Sequence, residues 1–518
     1  MPSFFTTLKQ KVSGYLRPGT GYSAAFRFIR RLKNWKTSQG SPDGEVLLDL
    51  PTLRQRSRDL YKNNAIGRGA IRLLVSDVIG RGLKLQSSID RAVIGQHNGW
   101  TAEETEIFCN GLEPDIERKF KWWAESTEAD ARGQMNFYEI TSLVFNSILQ
   151  SGEVFISLPL RKFINAPFRV RVGLIEADQV SNPLGYANSR VNRDGVVTTE
   201  EGIALGYWVN KNQEIYPEDY EYVPRYGEKS GRPLLLHLYK ADRPGQSRGV
   251  PLLSPVIEVI KNLDEYKKSE LDAAVISSFF SVFIKSDNPN ALDGNGIIGQ
   301  FGDQPDSEIE EQGQDYNLAP GAIMQLLPGE DIVTANPARP NTSYEGFVVS
   351  LMRETGMALG IPYEMLIRHF TSSYSASRAA RVEFEKEIKV WREWIKLRFC
   401  LPVYREWFIE EVISGRIQAP GFFESQEVQM AYLASSWSGE AMGQIEPLKE
   451  VDAAIKRVNE GFSTRTEEAA AMMGNDYTTN LQILRREKDT RDKLGLQSPD
   501  EIDKEASAEP EIDLKNLD

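Results

Sequence analysis

Only two cysteines, Cys109 and Cys400, occur in 518 residues, which excludes a disulfide framework and leaves no thiol cluster for a structural zinc. That usage fits assembly in a reducing compartment. Histidine is equally scarce. His97, His237 and His369 stand far apart and none forms an HxH or HExxH pair, so neither a catalytic metal nor a cofactor is expected. No stretch reaches the ~18 to 20 apolar residues that span a bilayer, and the opening residues lack the apolar segment of a signal peptide. The expectation is a protein neither inserted into a membrane nor exported by that route. A surplus of cations is missing too. With a formal net charge of −13, the chain is a poor tight binder of DNA, because sequence-blind affinity comes from cations that neutralise phosphates. It remains able to surround DNA without gripping it.

What charge there is lies unevenly. Residues 1–40 carry eight Lys/Arg and no acid, with Phe4, Phe5, Tyr15, Phe26 and Trp35 interleaved, whereas residues 498–518 carry eight Asp/Glu against two Lys. The basic arm suits either contact with an acidic surface or simple solvation. The acidic end, SPDEIDKEASAEPEIDLKNLD, has the composition of a disordered tail.

Between these ends, 41% hydrophobic residues suffice for several cores, and the pattern predicts a mixed α+β chain in which helices predominate. From Pro51 two helices are expected, parted at Asn63-Asn64 and ended by Gly80-Arg81-Gly82, followed by a short strand LKLQSSI. Helices are expected over 112–126 and 136–150, then short strands between 153 and 240. A long helix over 252–278 amounts to ~40 Å of rod. It has an apolar stripe of Leu253, Val256, Ile260 and Leu263, and a polar side on which Glu258, Lys261, Glu265, Lys268 and Asp272 alternate in sign. That side reads either as an ordinary solvated face or as one wall of a wet channel formed by copies of itself. Residues 285–340 are rich in Gly, Pro, Asn and Asp, with a strand, turn and strand in AIMQLLPGEDIV. A second helix over 341–358 ends at Gly360-Ile361-Pro362. The two helices therefore describe an excursion out along one rod and back along another. Phe384, Ile388, Trp391 and Ile395 recur at helical spacing until Pro402 kinks or stops the run. From about 425 onward the chain reads as helical with turns.

Three strings look chemical. Gly294-Asn-Gly296-Ile-Ile-Gly299 fits GxGxxG but lacks the strand before and helix after that a dinucleotide needs. GEKSGR at 227–232 lacks the GxxxxGK[ST] spacing of a phosphate loop. RHFTSSYSASRAARVEFEKEI at 368–388 crowds hydroxyls beside His369, but it contains no GxSxG elbow or SxxK, so no catalytic residue is assigned. Ser373 or Ser375 suits the N-cap of the following helix.

Three ordered stretches resemble the portal proteins of tailed bacteriophages of the lambda type. They are RQRSRDLYKNNAIGRGAIRLLVSDVIGRGLKLQ at 54–86, ALGIPYEMLIRHFTSSYSASRAARVEFEKEIKVWREW at 358–394, and WSGEAMGQIEPLKEVDAAIKRVNEGFSTRTEEAAAMMGNDY at 437–477. In the third the family usually has Asp-Pro where this chain has Glu446-Pro447.

The resemblance covers about 50–490 and implies a portal fold of wing, stem, clip and crown, forming a ring with a central channel. Its divisions are a basic arm (1–50), an α+β wing (51–250), a first stem helix (251–279), a clip (280–340), a second stem helix with its connection (341–367) and a tunnel loop (368–376). A long wing helix (377–424), a helical crown (425–495) and the acidic tail (496–518) follow. It implies a homo-oligomer, twelve subunits in the virion, at one capsid vertex. Double-stranded DNA would pass through it without sequence specificity, in packaging and in ejection. The terminase large subunit and later head-completion proteins would dock on the clip, with capsid and scaffold proteins on the wing. Assembly would be in the host cytoplasm, with no membrane. Arg368, His369, Phe370, Thr371, Ser372, Ser373 and Tyr374 would line the tunnel loop, and Lys261, Lys268 and Arg353 the stem lumen. The competing readings are a phage DNA-processing enzyme, namely a metal-dependent nuclease or packaging ATPase, and a head scaffold that never touches DNA.

Overall fold

The computed structural model describes residues 34–35, 37, 39–162, 167–211, 219–278, 282–286, 330–334, 344–370, 373–441, 447–473 and 477–494. The basic arm before residue 34, the GxGxxG string and the acidic tail lie outside the described residues. A short helix α1 (Pro42–Val46), capped by Ser41, leads into a hairpin of α2 (Leu50–Asn63) and α3 (Ala65–Val78). Asn64 parts the two, as expected. Its backbone is extended, and its side-chain oxygen accepts from the N–H groups of Ile66 and Gly67 at 2.8 Å each, satisfying two donors that the new helix cannot pair internally.

Strand β1 (Lys84–Ser87) and α4 (Arg91–Asn98) follow, then α5 (Ala102–Glu125). Helix α5 starts ten residues before the expected 112, because Thr101 and Glu104 form a reciprocal capping box ahead of a stretch with little apolar period. Helix α6 (Phe137–Ser151) opens with the same device, Asn136 and Glu139. Its partner in the core is an aromatic cluster around Phe120. The Phe120 ring meets Phe137, Tyr404, Trp407 and Trp437 edge-on at 5.1–5.6 Å. Each such side chain contributes roughly 1.5–3 kcal/mol by burial, and each ring pair about 0.5–1.5 kcal/mol more.

Strands β2 (Glu153–Ser157), β3 (Gly173–Ile175), β4 (Asn192–Arg193), β5 (Val196–Thr198), β6 (Ala204–Asn210), β7 (Tyr220–Pro224) and β8 (Leu235–Tyr239) make two antiparallel sheets, ordered β3-β2-β8 and β4-β5-β6-β7. A small core of Phe155, Val180, Val196, Tyr207, Val209 and Leu235 joins them.

The first rod is α7 (Ile257–Ser278). Leu253, Val256, Ile260 and Leu263 are buried, while Glu258, Lys261, Glu265, Lys268 and Asp272 are exposed, as the pattern requires. A tight 3-10 turn at Ser254–Val256 replaces its expected first turn. Strands β9 (Val282–Ser286) and β10 (Glu330–Thr334) pair antiparallel across the base of the excursion, so regular pairing reaches past residue 285. The return rod is α8 (Tyr344–Leu359), packed on α7 through Tyr266, whose ring stacks on Tyr344 at 5.5 Å and meets Phe347 edge-on at 5.1 Å.

A five-residue helix α9 (Tyr363–Ile367) precedes α10 (Tyr374–Ile395). Phe384, Ile388, Trp391 and Ile395 of α10 face the core. Pro402 does not stop the helix. The backbone widens into a π-turn over Lys396–Cys400, in which Leu401 N–H reaches back to Lys396 O, and α11 (Leu401–Ile413) continues with the proline in its first turn, where no N–H is needed. After α12 (Gln426–Leu433) the chain departs from the expected all-helical ending. Strand β11 (Ser435–Ser438) pairs antiparallel with β1, Lys84 opposite Ser438 and Ser87 opposite Ser435. Helices α13 (Pro447–Asn459), α14 (Arg465–Met473) and α15 (Tyr477–Leu494) complete the described chain.

Candidate functional site

The connection from α9 to α10 carries the densest group of expected site residues. The turn after α8 is closed by Ile361 N–H donating to Gly356 O at 2.8 Å. Arg368 ends α9 in the left-handed region, φ 54 and ψ 37, and His369 N–H donates to Glu364 O at 3.1 Å. Arg368, His369 and Phe370 are all exposed, with Phe370 showing 59% of its surface. Thr371 and Ser372 lie outside the described residues. Ser373 N-caps α10, its Oγ accepting from Ala376 N–H at 3.4 Å. Tyr374 opens α10, so the described connection ends at Ser373 and not at 376. The cap consumes the first hydroxyl after the loop and starts the helix there.

Helix α10 is basic at its loop end and balanced further on. Arg378 and Arg381 occupy its first turns, while Lys386 pairs with Glu383 at 2.7 Å and Lys389 with Glu385 at 3.0 Å. Both arginines stand on the helix directly behind the connection, in a string whose hydroxyls dominate its appearance. The spacing SRAARVEF, with cations only before Glu383, is the signal that finds them. Asp77, near the end of α3, couples the two elements. Burial pushes its carboxyl up, and Arg368, Arg392 and Arg381 pull it back.

On the rods, Lys261 and Lys268 stand two turns apart on the exposed face of α7. Arg353 of α8 is exposed and its guanidinium lies 5.4 Å from the Tyr363 ring centroid, so a cation–π contact holds it against α9. The root of α7 is held by Asn64, which donates to Asp264 at 2.5 Å.

A buried ion cluster that local pattern does not reveal ties α2, β2 and β8 to the segment after β8. Glu153 is fully buried; its Oε1 accepts from Arg248 Nε at 2.7 Å and from Arg54, and its Oε2 accepts from Gly249 N–H at 2.9 Å and lies 2.8 Å from His237 Nε2. Burial alone would raise its carboxyl, but Arg248 and Arg54 hold it well below the usual range. Arg248 also donates to the carbonyls of Val180 and Ala177, so an irregular loop is tied to the strand it covers.

Among the described residues the three histidines are not brought together. His97 sits by Glu424, His237 by Glu153, and His369 is exposed on the loop. Burial pushes the thiols of Cys109 and Cys400 up, which keeps them protonated and unreactive. The GEKSGR string is a hairpin turn in which Arg232 is bound to Glu406 and Leu158 O. Among the described residues no group of three or more His, Cys, Asp or Glu is placed to hold a metal ion.

The family model for lambda-family phage portal proteins matches residues 28–392. The chain is 26% identical over 521 residues to the portal protein of Escherichia phage N15, covering 96% of this chain and 94% of that one. It is 26% identical over 519 residues to portal protein B of Escherichia phage lambda, covering 96% and 93%. Among solved structures it is similar to a chain from the neck of the native GTA particle computed with C12 symmetry, at 13% identity, TM-score 0.43, and coverage of 82% and 93%. These matches give no support to the reading as a DNA-processing enzyme. With the family model spanning the α2–α3 hairpin, both larger sheets, both rods, the α9–α10 connection and most of α10, the chain belongs to the lambda family of phage portal proteins.

Proposed function

We propose that copies of this chain close into a ring, twelve in the virion, at one capsid vertex, and that double-stranded DNA moves through the axis past residues 368–373. The observation that carries the reading is the α9–α10 connection. It presents an arginine, a histidine and a phenylalanine to solvent between a helix end closed by His369 N–H on Glu364 O and a helix start capped by Ser373. Such a head-to-tail ring needs two different complementary faces on each subunit. A conduit must confine DNA without storing it, since every neutralised phosphate adds affinity to be broken at the next step. A net charge of −13 per chain suits a sliding surface, and Arg368 with Arg378 supplies brief, sequence-independent contact at one level. Lys261, Lys268 and Arg353 are assigned to the wall of the stem. Residues 280–340 serve as the docking surface for the terminase large subunit and then for head-completion proteins. The wing takes capsid and scaffold contacts. The protein itself carries no catalytic step and assembles in the host cytoplasm.

Electron microscopy of the purified protein, with native mass measurement, is expected to show annular particles. Monomers or dimers alone, even after mixing with capsid and scaffold proteins, would sink the ring. Substitution of His369 and Phe370 by alanine is expected to leave capsid assembly intact while DNA retention fails. Unchanged packaged DNA would remove the loop assignment.

A further inference from the structure

Away from the loop, a cleft of about 760 Å3 opens between β5–β6, the segment after β8 and the long helix. Its floor is apolar, formed by Val196, Tyr207 and Leu238. Its rim is cationic. Arg225, Lys240 and Arg398 line it, and among the described residues none of the three has a carboxylate partner in ion-pair range; Lys240 is held 4.4 Å above the Trp391 ring centroid. Arg193 on the same rim is already bound to Asp43, and Glu201 is the one acidic lining residue among those described. Ser247, 7% exposed, adds a hydroxyl with no hydrogen-bond partner. Three unneutralised cations, a stranded hydroxyl and an apolar floor together describe a site for an anionic group carried on an apolar backbone.

We infer that this cleft binds the acidic C-terminal segment of the chain, residues 498–518. The segment carries eight Asp/Glu against two Lys and finishes EIDLKNLD, where Glu511, Asp513 and Asp518 alternate with Ile512, Leu514 and Leu517. In extended form Ile512 and Leu514 fall on one side, toward the floor, and Glu511 and Asp513 on the other, toward the rim. The basic arm is repelled by the same rim. Duplex DNA presents its phosphates on a convex surface and offers nothing to an apolar floor.

Full-length protein treated with a zero-length carbodiimide is expected to join Lys240 to Glu511 or Asp513, as identified by mass spectrometry. The yield falls at least five-fold in the double variant Arg225→Glu, Arg398→Glu and in high salt, which screens exposed charge. In the same variant, limited proteolysis within 498–518 speeds up several-fold, while circular dichroism stays that of the parent. The inference is overturned if Lys240 joins only acids outside 498–518, or if the yield ignores the charge reversal. It is overturned in favour of nucleic acid if the double variant loses duplex binding while its crosslink persists.

Discussion

Arg392 closes the C-terminal end of α3 by donating from Nε to Val78 O at 2.9 Å, and its Nη2 reaches Asp77 O at 2.8 Å and Glu440 O at 2.7 Å. A cation over the last carbonyls of a helix satisfies acceptors that have no intrahelical donor and opposes the negative end of the helix dipole. One side chain of α10 thereby ties together the hairpin, the segment after β11 and the helix that carries the loop.

Arg392→Ala is expected to lower stability by about 2–4 kcal/mol, since up to three bonds from a charged donor are lost and their carbonyls are only partly rehydrated. Arg392→Lys recovers less than half, because an ammonium cannot reach three carbonyls in the fork geometry of a guanidinium. Thermal unfolding of the three proteins side by side measures this. Equal midpoints would show that the contact carries no stability.

Glu153 is the one carboxylate shared by two almost wholly buried arginines, of which Arg54 also reaches Asp178 at 3.3 Å and Arg248 reaches Asp194 at 2.9 Å. Glu153→Gln leaves Arg248 and Arg54 without it, and the expected loss is ~3–5 kcal/mol. The pH dependence has a defined sign. Glu153 is held below its ordinary value of 4.5, so the folded chain releases its proton more readily than the unfolded chain. The stabilisation is present above about pH 4.5 and is lost as pH falls from there. Denaturation midpoints of the parent should decline through that window. Those of Glu153→Gln, compared at the same pH values, should decline less steeply.

Gly152 and Gly111 make opposite predictions for the same substitution. Gly152 follows α6 at φ 86, and a Cβ there would sit 2.5 Å from main-chain carbons of Gly249 and Val250, which cannot swing aside. The left-handed cost alone is ~1–2 kcal/mol, so with the clash Gly152→Ala should lose about 3 kcal/mol or more. Gly111 lies within α5 facing open space, and Gly111→Ala should gain ~0.5–1 kcal/mol. Melting temperatures moving in opposite directions would bear this out.

The parts that are legible in the sequence are those with local causes. The stripe Leu253, Val256, Ile260 and Leu263 writes the rod because burial on one side imposes a helical period, and Ser373 writes the start of α10 because a cap is read within three residues. Asn64 announces its break by the same logic. The β1–β11 pairing is not legible, since Gln86 and Ser436 are 350 residues apart and each strand is too short to show alternation. Nor is the cluster at Glu153, whose members come from four distant segments and look singly like surface charge. Pro402 is ambiguous in principle: a proline breaks a helix unless the turn before it widens, and nothing local announces that widening. At the site, the exposed loop is legible, but the arginines behind it become part of it only once the helix places them.

Arg368 offers a separation of stability from function. It is one of two non-glycine residues among those described with positive φ, and it ends α9 in a conformation that glycine adopts freely. Arg368→Gly is therefore expected to leave the isolated protein as stable as the parent or up to ~1 kcal/mol more stable, even though it gives up attraction to Asp77. If the side chain is kept for contact with DNA, capsids built with this variant should retain markedly less DNA despite the sounder fold. Arg368→Lys, which keeps the charge but not the planar fork, should retain an intermediate amount. Quantifying DNA in purified capsids beside unfolding of the free protein reads both effects at once. A variant that is stabilised and packages normally would show that Arg368 is tolerated at this turn and does nothing for the DNA.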